Sequence, residues 1–151
     1  MGGGSVSVVR AADIAAFQAL AASFAQDLRP GDVVALEGPL GSGKTTFVAA
    51  VVRALDNPAE VASPTFTFWH RYGGSPPVEH LDLFRLENPA EASELGLEEA
   101  FGPDRIALVE WPDRLPGFVP ANAIRLRIAG SGDGPRRIEI ERPAAAKGPA
   151  G

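Results

Sequence analysis

Apolar positions in the first third of the chain switch between strand and helix spacing. Residues 6–9, VSVV, are rich in β-branched valine and form a short strand candidate. Between residues 14 and 28, apolar side chains recur every three or four positions, which predicts an amphipathic helix that ends before the Pro-Gly pair at 30 and 31. Residues 33–36 are uniformly apolar, as expected of a strand buried on both faces. The pattern therefore predicts a strand, a helix and then a central strand.

The rest of the chain continues with a helix and then with strands in pairs. The predicted elements are, in order, a helix at residues 45–55, strands at 66–72 and 78–83, a short helix within 89–101, a strand at 106–109, and strands at 124–128 and 137–140. The last two strands flank a glycine-rich stretch that is typical of a hairpin turn. This order predicts an α/β fold with a mixed sheet. The sheet is expected to be parallel at its centre and antiparallel in one edge hairpin, with helices on both faces.

The length and composition fit one globular domain. The chain has 151 residues, of which 45% are hydrophobic and 22% charged. We place the domain at residues 5–142 and expect residues 1–4 and 143–151, which are rich in small residues, to be disordered tails. The sequence has no run of 18 apolar residues, so no membrane-spanning helix is predicted.

Cysteine content and charge exclude several classes of function. The absence of cysteine excludes disulfides, a thiol nucleophile and a cysteine-ligated zinc site. A net charge of −5 disfavours binding to a nucleic-acid backbone without a partner, because that affinity comes from neutralised phosphates. The N-terminus lacks the basic and apolar stretches of a secretion signal, and a cytoplasmic location is therefore expected.

Residues 38–45, GPLGSGKT, match the phosphate-loop pattern G-x-x-x-x-G-K-[ST]. Glycines allow the backbone amides of such a loop to point at phosphate oxygens, and the helix that follows adds its unpaired N–H groups. In this pattern Lys44 contacts the β- and γ-phosphates and the Thr45 hydroxyl binds Mg²⁺. The segment lies between a predicted strand and a predicted helix, as the pattern requires. The sequence has no Asn-Lys-x-Asp element for reading guanine, so ATP is favoured.

Two acidic residues are candidates to complete this site. Glu110 directly follows the apolar strand at 106–109, and parallel strands deliver functional acids at their carboxyl ends. Asp82 lies on a second strand, where a period of two places it on the same face as His80. Either acid could hold Mg²⁺ or orient water, and the sequence does not divide these roles. The alternative for each acid is a salt bridge or a helix cap, and a lone histidine is usually structural.

Three further residues near these motifs have two interpretations each. Thr65 follows Pro64 after the predicted helix, where a hydroxyl could reach the γ-phosphate or Mg²⁺; the alternative is an ordinary turn. We interpret Phe84 and Trp111 as packing residues rather than as a pair that stacks on a ligand.

Four blocks of the sequence together resemble the TsaE (YjeE) family. The blocks are LEGPLGSGKTTF at 36–47, SPTFT at 63–67, HLDLFRL at 80–86 and VEWP at 109–112. The first block is generic to nucleotide-binding proteins, whereas the other three in this order are specific, and the similarity runs from about residue 15 to 113. Members of the family are P-loop ATPases of the pathway that places threonylcarbamoyl on adenosine 37 of tRNA.

The resemblance implies a single-domain P-loop fold that uses ATP, ADP and Mg²⁺. The implied phosphate-binding residues are Gly38, Gly41, Ser42, Gly43, Lys44, Thr45 and Thr46. The implied metal site is Thr45, Asp82 and Glu110, and the implied catalytic residues are Lys44, Thr65, Asp82 and Glu110. The chain departs from the family at Phe84, where tyrosine is usual.

The resemblance also implies partners. The modifying chemistry would belong to TsaD working with TsaB, and this chain would contact tRNA only indirectly, through that complex. Its own ATP hydrolysis would be weak without those partners. Two alternatives stay open: a small P-loop kinase that phosphorylates a metabolite, and a nucleotide-dependent binding module with little hydrolysis.

Overall fold

The computed structural model describes residues 4–55 and 69–143. The predicted tails, apart from Gly4 and Pro143, and the block at 63–67 with Thr65 lie outside the described residues. The strands are β1 (Ser5–Ala11), β2 (Val33–Glu37), β3 (Trp69–Tyr72), β4 (Val78–Asp82), β5 (Ile106–Glu110), β6 (Ile124–Ala129) and β7 (Arg136–Arg142). The α-helices are α1 (Ile14–Ala25), α2 (Lys44–Ala54) and α3 (Pro89–Leu95), and single 3-10 turns lie at Leu97–Ala100 and Pro112–Arg114.

The seven strands form one mixed sheet in the order β1-β7-β6-β2-β5-β4-β3. The four central strands, β6, β2, β5 and β4, run parallel, which confirms the predicted parallel centre. Antiparallel pairing occurs at both ends of the sheet, because β3 pairs with β4 at one edge and β1 and β7 join β6 at the other. The predicted antiparallel hairpin is confirmed as β6 and β7, and the pair β3 and β4 adds a second antiparallel edge that the prediction of one edge did not include. The connection between β3 and β4 is too short for a crossover, so β4 must return antiparallel to β3.

Helices cover both faces of the sheet, as predicted. On one face, Val34 and Leu36 of β2 belong to the core cluster that holds Phe17 of α1 and Phe47 of α2. The Phe47 ring lies 5.6 Å from the ring of Phe17, measured between centroids. The alternate residues of β2 and β5 face the other way and pack with α3 and its following 3-10 turn. Strands buried on both faces explain the uniformly apolar runs in the sequence.

Local capping sets the helix ends. The Asp13 side chain accepts a hydrogen bond from the Ala16 amide at 2.9 Å and starts α1. The helix ends at Ala25, three residues before the predicted end. The predicted helical stretch at 89–101 divides into α3 and a 3-10 turn because Gly96 adopts φ 67°, the left-handed conformation that ends helices. None of the helices within residues 4–55 and 69–143 is both long and apolar enough to cross a membrane.

Candidate active site

A cleft of about 550 Å³ opens where the carboxyl ends of β4 and β5 meet the start of α2. Its walls come from α1, the glycine loop, the ends of β4 and β5, and the β6–β7 turn. The lining residues are Ile14, Leu40, Gly41, Gly43, Lys44, Thr45, Thr46, Asp82, Phe84, Glu110, Trp111, Gly132, Asp133 and Arg136. Most of the residues that the sequence predicts for a phosphate site therefore line one cavity. Gly38 and Ser42 belong to the same loop but do not line this cavity.

Close packing explains why glycine stands at two positions of the loop. A Cβ at Gly38 would lie 2.6 Å from the Ile128 carbonyl oxygen, which is closer than side chains approach. Gly43 has φ 106°, and a Cβ there would lie 2.9 Å from the Phe17 ring. Since Gly43 provides no side-chain cap, the first amides of α2 stay available to an anion.

Lys44 points into the cleft and is buried. Its Nζ donates hydrogen bonds to the carbonyl oxygens of Gly38 at 2.5 Å and Pro39 at 3.1 Å. The same ammonium lies 4.1 Å from the centroid of the Trp111 ring, in cation–π contact. Burial lowers the pKa of Lys44 by desolvating its charged form, and the nearby carboxylates of Glu110 and Asp82 oppose that effect. A phosphate anion would be a stronger partner for this ammonium than the neutral carbonyls are.

The predicted metal-site residues lie together at the N-terminus of α2. Asp82 and Glu110 are direct neighbours in the parallel register of β4 and β5. The Thr45 hydroxyl donates to the Glu110 carboxylate, with Oγ1 lying 3.1 Å from Oε1 and 3.2 Å from Oε2. Asp82 accepts a hydrogen bond from the Phe84 amide through its Oδ1, at 3.1 Å.

This donor set fits Mg²⁺. One hydroxyl and two carboxylates are hard oxygen ligands, and Mg²⁺ takes few of these from a protein because phosphate oxygens and water complete its shell. Among the described residues, no group of three or more acidic or histidine side chains is arranged as a complete metal site of its own. The residues therefore suit a metal that arrives with a phosphate ligand.

His80 belongs to the site although the sequence favoured a structural role for it. Its Nε2 lies 2.6 Å from Oε2 of Glu110, and both side chains are buried. The His80 ring also stacks on the ring of His70 from the neighbouring strand, with centroids 5.6 Å apart. The signal that could have identified this contact was present, since the period of β4 places His80 on the face of Asp82.

Arg136 also reaches the glycine loop, a contact that the sequence analysis did not predict. Its Nε donates to the Ser42 carbonyl oxygen of the glycine loop at 2.7 Å. Its two terminal nitrogens donate to carbonyl oxygens of the β6–β7 turn, those of Ser131, Gly132 and Gly134, at 2.8 to 3.1 Å. The guanidinium therefore joins the turn to the loop. Nothing in the local sequence pattern connects positions 42 and 136.

Phe84 and Trp111 pack against each other, with ring centroids 4.9 Å apart. Both also line the cleft. Trp111 adopts φ 59°, an uncommon conformation for a residue other than glycine, directly after Glu110. This backbone turn lets the strand end at the carboxylate and sends the indole towards Lys44.

Another buried carboxylate, Glu79, lies on the opposite face of β4. It accepts hydrogen bonds from the Trp69 indole N–H at 2.8 Å and from Arg71 Nε at 3.0 Å. A terminal nitrogen of Arg105 lies 3.3 Å from the same carboxylate. Glu79 does not line the cleft.

Comparison with known proteins gives a consistent result. A family model described as "Threonylcarbamoyl adenosine biosynthesis protein TsaE" matches residues 11–138. The "tRNA threonylcarbamoyladenosine biosynthesis protein TsaE" of Bacillus subtilis is 40% identical over 120 residues, which cover 79% of this chain and 73% of that protein. The protein of the same name from a Nostoc species is 38% identical, over 76% of this chain and 73% of its own. The crystal structure of YdiB from Bacillus subtilis superposes with a TM-score of 0.75 at 29% identity, over 93% of this chain and 88% of that one.

Proposed function

Since the chain belongs to the TsaE family of threonylcarbamoyl adenosine biosynthesis proteins, we propose that it supplies ATP hydrolysis to that pathway. Its role in tRNA threonylcarbamoyladenosine biosynthesis follows from the family itself. In this proposal the chain binds ATP with Mg²⁺ in the cleft beside α2. It acts with TsaD and TsaB, hydrolyses ATP weakly without them, and meets tRNA only through their complex.

The observation that carries the proposal is the contact between Thr45 and Glu110. These residues are 65 positions apart, yet the hydroxyl at the start of α2 donates to the carboxylate at the end of β5. A glycine loop alone binds phosphate, whereas hydrolysis also requires an acid at the γ-phosphate end to position the metal and the attacking water. The fold brings that acid to the loop.

Each group in the cleft has a part in the proposed reaction. The loop amides and Lys44 would bind the phosphate oxygens and neutralise the charge that develops on them. Thr45, Asp82 and Glu110 would hold Mg²⁺, which supplies further positive charge at the β- and γ-phosphates when bound. A carboxylate oxygen of the same pair would accept a hydrogen bond from the attacking water. The water oxygen bonds to the γ-phosphorus as the bond to the bridging oxygen breaks, and the products are ADP and phosphate.

The nucleotide site is tested by Lys44→Ala. Loss of the ammonium removes charge-assisted contacts of about 2–4 kcal/mol, which weakens ATP binding by roughly 30- to 1,000-fold in calorimetry with Mg²⁺ present. Arg53→Ala is the matched control because it removes one exposed positive charge from the far end of the same helix. ATP binding by Lys44→Ala as tight as by the control would contradict the site.

The partner-dependent role is tested by turnover with and without TsaD and TsaB. Phosphate release that rises when both partners are added is the expected result. Turnover that ignores them would contradict the accessory role, and transfer of the phosphoryl group to a metabolite instead of water would favour the kinase alternative. Nucleotide that stays intact after prolonged incubation with the partners would favour the binding-module alternative.

A further inference from the structure

Three side chains, those of Thr45, Glu110 and His80, form a hydrogen-bonded chain beside the cleft. The Thr45 hydroxyl donates to the Glu110 carboxylate from one side, and the His80 imidazole contacts it from the other. The imidazole contact, at 2.6 Å between Nε2 and Oε2, is shorter than either contact with Thr45. We propose that His80 is a positioning residue that fixes the orientation of Glu110 for the reaction. This inference rests on the hydrolytic function proposed above.

The two oxygens of Glu110 have different surroundings. Oε2 contacts both the His80 Nε2 and the Thr45 hydroxyl, whereas Oε1 contacts only the Thr45 hydroxyl among the described residues. Fixing Oε2 therefore leaves lone pairs on Oε1 for a water molecule or a metal ion. A glutamate side chain has three rotatable bonds, and without a second donor this carboxylate would reach several orientations. His80 removes that freedom before the nucleotide binds.

The backbone and a second ring hold the imidazole in place. His80 lies two residues before Asp82 on β4, and Asp82 is the register partner of Glu110 on β5. On the other side, His70 is the direct cross-strand partner of His80, and the two rings stack with an interplanar angle of 27°. Because a carboxylate only accepts hydrogen bonds, the contact requires the proton on Nε2 of His80.

Steady-state kinetics of three variants test the positioning role. His80→Leu removes the donor, and we expect kcat for ATP hydrolysis to fall by about 10- to 100-fold, as is typical when the partner of a functional ligand is lost. KM should change by less than about threefold, since the loop amides and Lys44 are untouched. His80→Gln keeps an N–H donor near the place of Nε2 and should recover most of kcat. Glu79→Gln is the matched control, because it alters a buried residue of the same strand on the opposite face.

A spectroscopic readout on the wild-type protein without nucleotide tests the contact itself. The chain has two histidines, so proton–nitrogen NMR of the imidazoles is simple to assign with His70→Gln. We expect the His80 Nε2 to carry a proton whose resonance is shifted downfield by hydrogen bonding, and we expect Glu110→Gln to reduce that shift. An unprotonated Nε2 in the wild-type protein would overturn the proposal, whether or not the variants fold.

The outcomes separate this inference from the proposed function. Wild-type protein that hydrolyses no ATP, with or without TsaD and TsaB, would contradict the function. Wild-type turnover that survives in His80→Leu would contradict only the role of His80. Equal loss of kcat in the Leu and Gln variants would also overturn it, because the loss would then follow from the shape of histidine rather than from its donor.

Discussion

Two buried glutamates on neighbouring strands of this protein have opposite surroundings. Glu79 on β4 and Glu110 on β5 are exposed by only 1% and 2%. Glu79 faces the side of the sheet that α3 covers, and two arginines and an indole N–H bind it. Glu110 faces the glycine loop, and its hydrogen-bond partners are a hydroxyl and an imidazole. The two carboxylates are therefore equally buried, and they differ in the face of the sheet on which they lie and in their hydrogen-bond partners.

The difference in partners separates a structural acid from a reactive one. A buried carboxylate is costly unless positive charge and hydrogen bonds compensate it. Arginine remains protonated under all ordinary conditions, so Glu79 is permanently compensated and its lone pairs are occupied. Glu110 has no arginine within hydrogen-bond distance among the described residues, and the positive charge that interacts with it electrostatically is that of Lys44. It therefore remains able to bind a cation or orient a water molecule.

The largest expected effect is that of Glu110→Gln on turnover. The amide keeps the shape of the side chain but loses the charge and an acceptor, so we expect kcat for ATP hydrolysis to fall by about 10²- to 10⁴-fold. Binding of ADP without Mg²⁺ should change by less than about threefold. A Glu110→Gln variant that hydrolyses ATP as fast as the wild type would contradict the reactive role of Glu110.

Glu79→Gln should have the complementary effect on stability. The change leaves two guanidinium groups without their carboxylate, and we expect a loss of about 2–3 kcal/mol in the free energy of unfolding. The corresponding fall in Tm is roughly 4–12 °C for a domain of this size, measured by circular dichroism. The rate of ATP hydrolysis below the transition should stay at the wild-type level. A slower rate of hydrolysis with an unchanged Tm would contradict the assignment of a structural role to Glu79 and a reactive role to Glu110.

Arg71→Gln should lower the free energy of unfolding by less than Glu79→Gln does. The Arg71 side chain is 42% exposed, so solvent screens its contact with Glu79, and the remaining Arg105 and Trp69 still bind the carboxylate. We expect a loss of about 0.5–1 kcal/mol in urea unfolding. A loss as large as that of Glu79→Gln would mean that this one arginine carries the whole compensation.

The smallest expected effect is a dependence of folding stability on alkaline pH, caused by Lys44 in the cleft that Glu110 lines. Burial lowers the pKa of Lys44 below 10.5, so between its folded and its unfolded pKa the unfolded chain binds more protons than the folded one. Folding stability therefore gains a contribution that rises with pH across this window, and Lys44→Met should lack it. The difference between the two unfolding free energies, measured over a pH series, checks the sign.

The glycine loop and the alternation of β4 could be predicted because both are local patterns. The motif identified Lys44 and Thr45, and the period of two placed His80 beside Asp82. The sheet order is set by pairing between distant segments, and for this reason the exact register of Asp82 with Glu110 did not follow from the sequence.

The arginine contacts show the same limit more strongly. Arg136 reaches the loop from the last strand, and Arg105 reaches Glu79 from a turn 26 residues later. An arginine in a sequence can be exposed, form an ion pair or bind a loop. The neighbouring residues in the sequence do not distinguish these three roles. The packed fold alone selects among them.

The guanidinium of Arg136 has a consequence for any shortened version of this protein. A fragment that stops after β6 would retain the complete glycine motif and both acids of the cleft. It would lack the hydrogen bond from Arg136 to the Ser42 carbonyl oxygen, and therefore the connection between the glycine loop and the β6–β7 turn. The smallest unit that can present the loop in its native shape therefore extends to the final strand, almost a hundred positions downstream of the residues that define it.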